Sequence, residues 1–284
     1  MIAVTGANGQ LGKLVIAELL QSTPAASIVA AVRNPESAAE LKSLGIHIRQ
    51  ADYTKPETLT AAFADVKKLL LISSSEVGQR LPQHHNVIRA AQQVDVRLLV
   101  YTSLLNLDQS TLALANEHRG TEKFIRDSGI PFVMMRNAWY LENHTGQLAA
   151  ILNNRTMLGA AAEGKFASAS RADFAAAAAA VLTSSGHENT IYELAGDHAY
   201  TLSEFVAEIA SQSGKSIVYK NMLPAEFETA LISFGIPAGF AHILANSDAG
   251  AAQGHLNSTS CDLHDLIGRN TTTLADAIRA AFPA

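Results

Sequence analysis

Short apolar runs alternate with longer amphipathic segments over the first 136 residues of the chain. The run at residues 69–72 is continuous, which is typical of strands buried on both faces of a parallel sheet. The segments between the runs carry apolar residues at helical spacing. Six strands are predicted, at residues 2–5, 27–32, 46–50, 68–73, 97–102 and 131–136. The alternation predicts an α/β protein with a doubly wound parallel sheet.

After residue 136 the alternation ends and helical patterns dominate. Helices are predicted at residues 140–153, 172–183, 202–213, 225–234, 240–251 and 273–281, and short strands at 190–195 and 217–220. Gly268 is predicted to end a helix, and Thr272 or Thr273 to begin the last one. No Pro-, Gly- or Ser-rich linker separates the two parts, so we expect a smaller, mainly helical C-terminal lobe that shares the core.

A glycine-rich turn follows the first predicted strand and opens the first predicted helix. It consists of Gly6, Ala7, Asn8, Gly9, Gln10, Leu11 and Gly12. In a Rossmann dinucleotide site the first glycine permits a tight turn, the second lets the main chain approach a pyrophosphate, and the third allows close helix packing. The helix N-terminus adds unpaired N–H groups and partial positive charge. This context predicts a dinucleotide site.

The end of the second strand distinguishes NAD from NADP. An NAD site usually has a carboxylate there, whereas this chain has Arg33 and no acid. Arg33 can bind a 2′-phosphate with its planar donors, or it can be an ordinary solvated arginine. We expect NADP(H). Asp52, after the third strand, either accepts a bond from the adenine amino group or caps the following turn.

Composition excludes several classes of protein. Hydrophobic residues make up 48% of the chain, which is incompatible with disorder, yet the longest apolar stretch, residues 174–182, is too short to span a membrane. The net charge of −5 without a basic block argues against nucleic acid as a partner. The single cysteine, Cys261, and the absence of a basic leader lead us to expect a cytoplasmic protein.

The chain resembles the NmrA-like, atypical branch of the short-chain dehydrogenase/reductase superfamily, in particular its quinone reductases. Triphenylmethane reductases are close relatives of these. The similar segments lie at residues 4–12, 32–35, 71–80, 101–103, 117–118, 121–123, 136–140, 192–196 and 266–269. The stretch from Ser73 to Arg80, Ser-Ser-Ser-Glu-Val-Gly-Gln-Arg, is specific to the quinone reductases, whereas the glycine turn is shared more widely.

The resemblance implies NADPH-dependent reduction of a quinone. No metal is expected, because no HExxH motif or Cys/His cluster accompanies the histidines, and no flavin is needed for a direct hydride transfer. The resemblance also implies that the glycine turn and a further set of residues line the NADPH site. These are Arg33, Ser73, Ser74, Ser75, Asn137, Ala138, Trp139, Tyr140, Leu141 and Glu142. The serines follow the fourth strand, and the Asn137 segment follows the sixth. Both therefore lie at the carboxyl edge of the sheet, where doubly wound sheets bind ligands.

The usual Tyr-x-x-x-Lys pair of the superfamily is missing, because none of the six tyrosines is followed by a lysine four residues later. Quinone reduction tolerates this loss, since hydride transfer to an aromatising acceptor mainly needs proximity and orientation. Lys123 or His118 either assists electrostatically or is a structural or solvated group, and Asn137 is expected to orient the nicotinamide. Trp139 and Tyr140 are expected to stack on a planar quinone, although Trp139 can equally anchor the core.

Two other functions stay open. The chain can be a non-catalytic regulator that senses NADP(H), because the usual proton donor is missing. It can also reduce another planar acceptor, such as a triphenylmethane dye.

We expect residues 1–136 to be the NADP-binding domain and residues 137–284 the substrate-binding lobe. The oligomeric state is open, with a homodimer as one option.

Overall fold

Eleven strands are present in the computed structural model, which describes residues 1–282. They are β1 Ile2–Thr5, β2 Ile28–Val32, β3 His47–Gln50, β4 Lys68–Leu71, β5 Leu98–Leu104, β6 Phe132–Asn137, β7 Thr156–Gly159, β8 Lys165–Phe166, β9 Thr190–Leu194, β10 Tyr200–Thr201 and β11 Val218–Asn221. The six strands predicted in the first half are all confirmed, with end shifts of one or two residues. The largest shifts are at β4, which ends at Leu71, and β5, which continues to Leu104.

Seven strands form the main sheet in the order β3-β2-β1-β4-β5-β6-β9. The pairings that join β1 to β6 are all parallel. The first six strands thus have the order 3-2-1-4-5-6, which is the Rossmann arrangement, and the predicted fold class is confirmed. The order reverses between β1 and β4, and this switch point is where such sheets open a crevice for a ligand.

Thirteen α-helices connect the strands in the described part of the chain. They are α1 Gln10–Leu20, α2 Ala39–Ser43, α3 Pro56–Ala62, α4 Arg80–Gln93, α5 Ala115–Asp127, α6 Leu141–Thr145, α7 Leu148–Asn154, α8 Arg171–Thr183, α9 Leu202–Ser213, α10 Pro224–Ser233, α11 Ala238–Ala252, α12 Asp262–Ile267 and α13 Leu274–Ala281. Gly268 ends α12 in the left-handed conformation and Thr273 caps α13, as predicted. No helix among these is long and apolar enough to cross a bilayer.

The described residues form two compact units, and the first contains the glycine turn. It comprises Met1–Leu104, Glu117–Asn137 and Arg171–Tyr192. Its core lies on the sheet, where residues such as Phe63, Leu69 and Leu99 are fully buried. Helix α8 packs against α1, and its alanines make a close approach possible because they add little cross-section.

The second unit contains the remaining described residues and includes two small sheets. Strand β7 pairs in parallel with β11, and β8 pairs antiparallel with β10. The prediction missed β7, β8 and β10, and β8 and β10 have only two residues each. One predicted helix, at residues 140–153, is wrong because it is two helices, α6 and α7. Gly146 ends α6, consistent with the poor helix propensity of glycine.

Candidate functional site

The glycine turn has the geometry of a phosphate-binding loop. Gly6 has φ +58°, in the left-handed region that favours glycine, and the Gly9 N–H donates to the Gly6 carbonyl at 2.9 Å. A Cβ at Gly12 would lie 2.4 Å from the Gly6 oxygen, so only glycine fits there. A Cβ at Gly9 would lie 3.1 Å from the same oxygen on an exposed turn. Gly12 therefore lets α1 pack closely against the start of the turn, at Gly6 and Ala7, and Gly9 leaves the exposed surface of the turn without a side chain.

Helix α1 begins at Gln10 directly after this turn. Within the described residues its N-cap, Gly9, has no side-chain cap, and its first turn carries no acidic residue. The partial positive charge at this helix end is therefore not neutralised locally. Ala7 and Leu11 are buried and hold the turn, while the amide of Asn8 donates to Ser37 Oγ at 3.2 Å. The arrangement suits the pyrophosphate of a dinucleotide.

Arg33 lies directly after β2, at the same edge of the sheet. Its guanidinium donates from Nη2 to Glu76 at 2.5 Å, and its side chain is 66% exposed. Asp52 follows β3 and accepts bonds from the Thr54 N–H at 3.0 Å and the Thr54 hydroxyl at 2.7 Å. These are the turn-capping contacts that the sequence left as one alternative for Asp52. Burial raises the pKa of Asp52, but the bonds from Thr54 and the charge of Lys55 outweigh it and leave this pKa below its usual value.

The segment after β4 is fixed by main-chain hydrogen bonds to two neighbouring elements. The Ser73 N–H donates to Thr102 Oγ1 of β5 at 2.8 Å, and the Ser74 N–H donates to His84 Nε2 of α4 at 2.9 Å. The buried Ser73 hydroxyl has no hydrogen-bond partner among the described residues. Ser75 is exposed at the surface of this segment. A polar group that is buried without a partner is unusual in a folded protein, and it fits a bound ligand that supplies the missing bond.

Behind this segment lies a network of buried polar side chains. Tyr101 and His118 Nδ1 share a hydrogen bond of 2.8 Å, and His84 Nδ1 contacts Thr121 at 2.9 Å. Burial lowers the pKa of His84 to about 3 and holds the pKa of His118 well below its usual value. Burial also raises the pKa of Tyr101. All three groups are therefore neutral at physiological pH.

Glu122, one turn after His118, is the buried centre of an ionic cluster. It accepts bonds from Arg136 through both carboxylate oxygens, at 3.0 and 2.9 Å, and from the Ser103 hydroxyl at 2.7 Å. Arg126, at the edge of the cluster, donates a further bond to Glu122 at 2.9 Å. This cluster joins α5, β5 and β6 immediately before Asn137. Glu122 is not among the residues predicted from the sequence, because a charged residue on α5 gives no sign that it faces the sheet.

Lys123, the next residue, lies at the surface of the same helix. Its side chain is 72% exposed, and its amino group pairs with Asp127 at 2.5 Å. The structure thus places the two candidate assisting groups differently, with His118 inside the network and Lys123 on the solvated face of α5. Asn137, the third residue predicted to act in catalysis, is buried at the carboxyl end of β6.

The predicted site residues of the first unit share one edge of the sheet. Because β1 to β6 are parallel, the residues that follow them meet at the carboxyl edge. The structure brings together there the glycine turn, Arg33, Asp52, residues 73–75 and Asn137. Lys123 lies on the solvated face of α5, paired with Asp127, and is not one of the residues at the strand ends.

The residues that follow Asn137 belong to the second unit, and main-chain hydrogen bonds hold them within it. The Ala138 N–H donates to the Leu194 carbonyl at 2.9 Å, and the Leu141 N–H to the Ala169 carbonyl at 3.0 Å. Trp139 and Tyr140 are half-buried, while Leu141 is buried and the half-buried Glu142 lies in the first turn of α6. Trp139 is therefore not a fully buried core anchor.

The chain is similar to known NAD(P)H-binding proteins over most of its length. Residues 6–185 match the NAD(P)H-binding family. The crystal structure of an NADPH-dependent quinone oxidoreductase from Escherichia coli, complexed with NADPH, is 53% identical, has a TM-score of 0.97 and covers 100% of both chains. The Citrobacter triphenylmethane reductase complexed with NADP(H) is 38% identical, with a TM-score of 0.95, covering 99% of this chain and 100% of that one. An NmrA-like family domain-containing oxidoreductase of Aspergillus flavus is 30% identical over 97% of this chain and 93% of its own.

Proposed function

The chain belongs to the NAD(P)H-binding, NmrA-like family, and from this membership we propose that it is an NADPH-dependent quinone reductase. The observation that carries the proposal is the full-length match, at 53% identity, to the E. coli quinone oxidoreductase complexed with NADPH. The geometry at the carboxyl edge supports it, because a glycine turn, an open helix N-terminus and an exposed arginine lie where a dinucleotide phosphate requires them.

The cofactor-binding residues are proposed from the sheet edge outward. The main chain of the glycine turn and the N-terminus of α1 hold the pyrophosphate, and the Arg33 guanidinium meets the 2′-phosphate. Asp52 and residues 73–75 flank the adenosine, with the buried Ser73 hydroxyl available to bond the ligand. Residues 137–142 contact the nicotinamide end. Residues 1–136 are thus proposed as the NADP-binding part, and residues 137–284 as the part that receives the acceptor.

NADPH, when bound, supplies the hydride. The chain's own residues bind and orient the reactants, since the sequence has no Tyr-x-x-x-Lys pair to donate a proton. Asn137 is proposed to orient the nicotinamide, and Trp139 and Tyr140 to present an aromatic surface to the quinone. His118 is neutral and buried, so it can act only through the groups it touches. Lys123 is exposed, and any influence it has is that of a solvated charge.

A second acceptor class has its own support. The 38% identity and TM-score of 0.95 to a triphenylmethane reductase favour activity on another planar, electron-poor molecule. We propose a cytoplasmic enzyme that works on small molecules, not on nucleic acid or a membrane, and a homodimer stays one option for its assembly.

The test is NADPH oxidation by the purified protein with and without a simple benzoquinone. We expect rapid oxidation of one NADPH per quinone, with little oxidation when the quinone is omitted. Parallel assays replace the quinone by a triphenylmethane dye, and NADPH by NADH. Tight NADPH binding without turnover of any acceptor would overturn the enzyme assignment in favour of a non-catalytic NADP(H) sensor.

A further inference from the structure

Arg33 and Glu76 meet across the end of the central strand. In the sheet order, β2 and β4 lie on either side of β1. Arg33 follows β2 and Glu76 lies in the segment after β4, and their ion pair of 2.5 Å joins residues 43 positions apart. The pair therefore spans the edge where β1 leads into the glycine turn.

Glu76 is held in this position by contacts of its own. Its second carboxylate oxygen accepts a bond from the Gln83 side chain at 2.6 Å, and its N–H donates to the Ser74 hydroxyl at 3.1 Å. The bond from Gln83, and then that from Arg33, lower the pKa of Glu76, so it is ionised at neutral pH. A fixed negative charge thus stands beside the arginine.

Arg33 keeps most of its hydrogen-bonding capacity. A guanidinium has five N–H donors, and among the described residues only Nη2 of Arg33 makes a side-chain hydrogen bond. The remaining donors face solvent, since 66% of the side chain is exposed. An incoming phosphate would therefore meet a guanidinium that already shares its charge with a carboxylate.

We propose that Glu76 is a specificity-determining residue that competes with the 2′-phosphate of NADPH for Arg33. The inference rests on the proposed function, in which Arg33 binds that phosphate. The Glu76 carboxylate offsets part of the guanidinium charge and repels a second anion next to it. NADH has no 2′-phosphate and does not meet this competition. Glu76 therefore weakens NADPH binding selectively and narrows the preference for NADPH over NADH.

The test measures dissociation constants for NADPH and NADH with four proteins: the parent, Glu76→Gln, Arg33→Ala and the double variant. Glu76→Gln should tighten NADPH binding about two- to fivefold, the range for an exposed charge pair, and change NADH binding less. The gain should disappear in the Arg33→Ala background and shrink at high salt, because salt screens exposed charges.

Glu40→Gln is the matched control. It removes the same charge from another exposed pair of the first unit, Lys13–Glu40 at 2.6 Å, and should leave both affinities unchanged.

Weaker NADPH binding by Glu76→Gln would overturn the proposal and make Glu76 a support for Arg33. An equal gain with or without Arg33, or with Glu40→Gln, would overturn it as well. If Arg33→Ala weakens NADPH selectively and Glu76→Gln changes nothing, the proposal fails while the role of Arg33 stands. If Arg33→Ala affects both cofactors equally, the role of Arg33 itself is wrong.

Discussion

Two ion pairs of the first unit are similar in length and opposite in surroundings. Arg33 and Glu76 lie 2.5 Å apart with side-chain exposures of 66% and 39%, whereas Arg136 and Glu122 lie 2.9 Å apart with exposures of 3% and 1%. An exposed pair contributes little to stability because water and salt screen it, and its charges are open to a ligand. A buried pair cannot lose one member without leaving an uncompensated charge. Burial, more than distance, thus separates the groups proposed to bind the cofactor from the groups that stabilise the fold.

The largest effect is expected at the buried pair. Glu122→Ala should lower the free energy of unfolding by about 3–5 kcal/mol, because Arg136 would lose both of its bonds to Glu122 inside the protein. Urea denaturation measures this loss. Asp127→Ala on the same helix is the control, since it removes the exposed partner of Lys123 and should cost less than about 0.5 kcal/mol. Equal losses of stability from the two variants would show that burial does not decide how much an ion pair contributes.

The second and third glycines of the turn, Gly9 and Gly12, provide the same contrast without charge. Gly12→Ala should destabilise the fold by about 1–3 kcal/mol, because its Cβ would lie 2.4 Å from the Gly6 oxygen. Gly9→Val should leave the protein folded but abolish NADPH binding, because the side chain blocks the approach of the pyrophosphate. Titration calorimetry and thermal unfolding separate the two outcomes. Unchanged NADPH affinity of Gly9→Val would remove the turn from the phosphate site.

Acid should destabilise the protein through its buried histidines. Burial lowers the pKa of His84 to about 3 and of His144 to about 4, and that of His118 also lies far below the usual value. The unfolded chain takes up these protons below about pH 6.5, so His84 and His144 each cost about 2 kcal/mol of stability at pH 5, and His118 acts in the same direction. Asp248 acts in the opposite direction, because burial raises its pKa to about 6, and its protonation at pH 5 offsets about 1 kcal/mol of this loss. Urea unfolding at pH 7 and pH 5 should show a lower free energy of unfolding at pH 5. Equal free energies at the two pH values would contradict the claim that the buried histidines are neutral in the folded protein.

The smallest effects are expected at Lys123. Lys123→Met should change stability by no more than about 0.5 kcal/mol, since it breaks only an exposed pair within one helix. It should lower quinone turnover by less than about 100-fold, the lower limit for loss of a dedicated general acid. Steady-state kinetics at saturating NADPH measures this. A fall above about 1000-fold with NADPH affinity intact would make Lys123 the proton donor or its essential activator.

The sequence allowed the edge of the site to be predicted better than its interior. Gly6 to Gly12 and Arg33 stand at positions set by strand ends, and hydrophobic spacing locates strand ends well. Glu76 was visible in the segment that resembles the quinone reductases, but its partner lies 43 residues away and depends on how two loops meet. The burial of Glu122 depends on how α5 is rotated against β5 and β6. Its neighbour Lys123 also carries a charge, of the opposite sign, and faces solvent. The presence of a charged side chain therefore could not show which of the two is buried.

The role of the exposed charges at this sheet edge is tested most directly by measuring the affinities of Arg33→Ala for NADPH and NADH by titration calorimetry. NADPH binding should weaken by about 1.5–3 kcal/mol, the range for a hydrogen bond to a charged group, while NADH binding and the unfolding midpoint should stay nearly unchanged. Equal losses for the two cofactors, or a clear loss of stability, would assign Arg33 to the fold and contradict the claim that the exposed charges of this sheet edge select the cofactor.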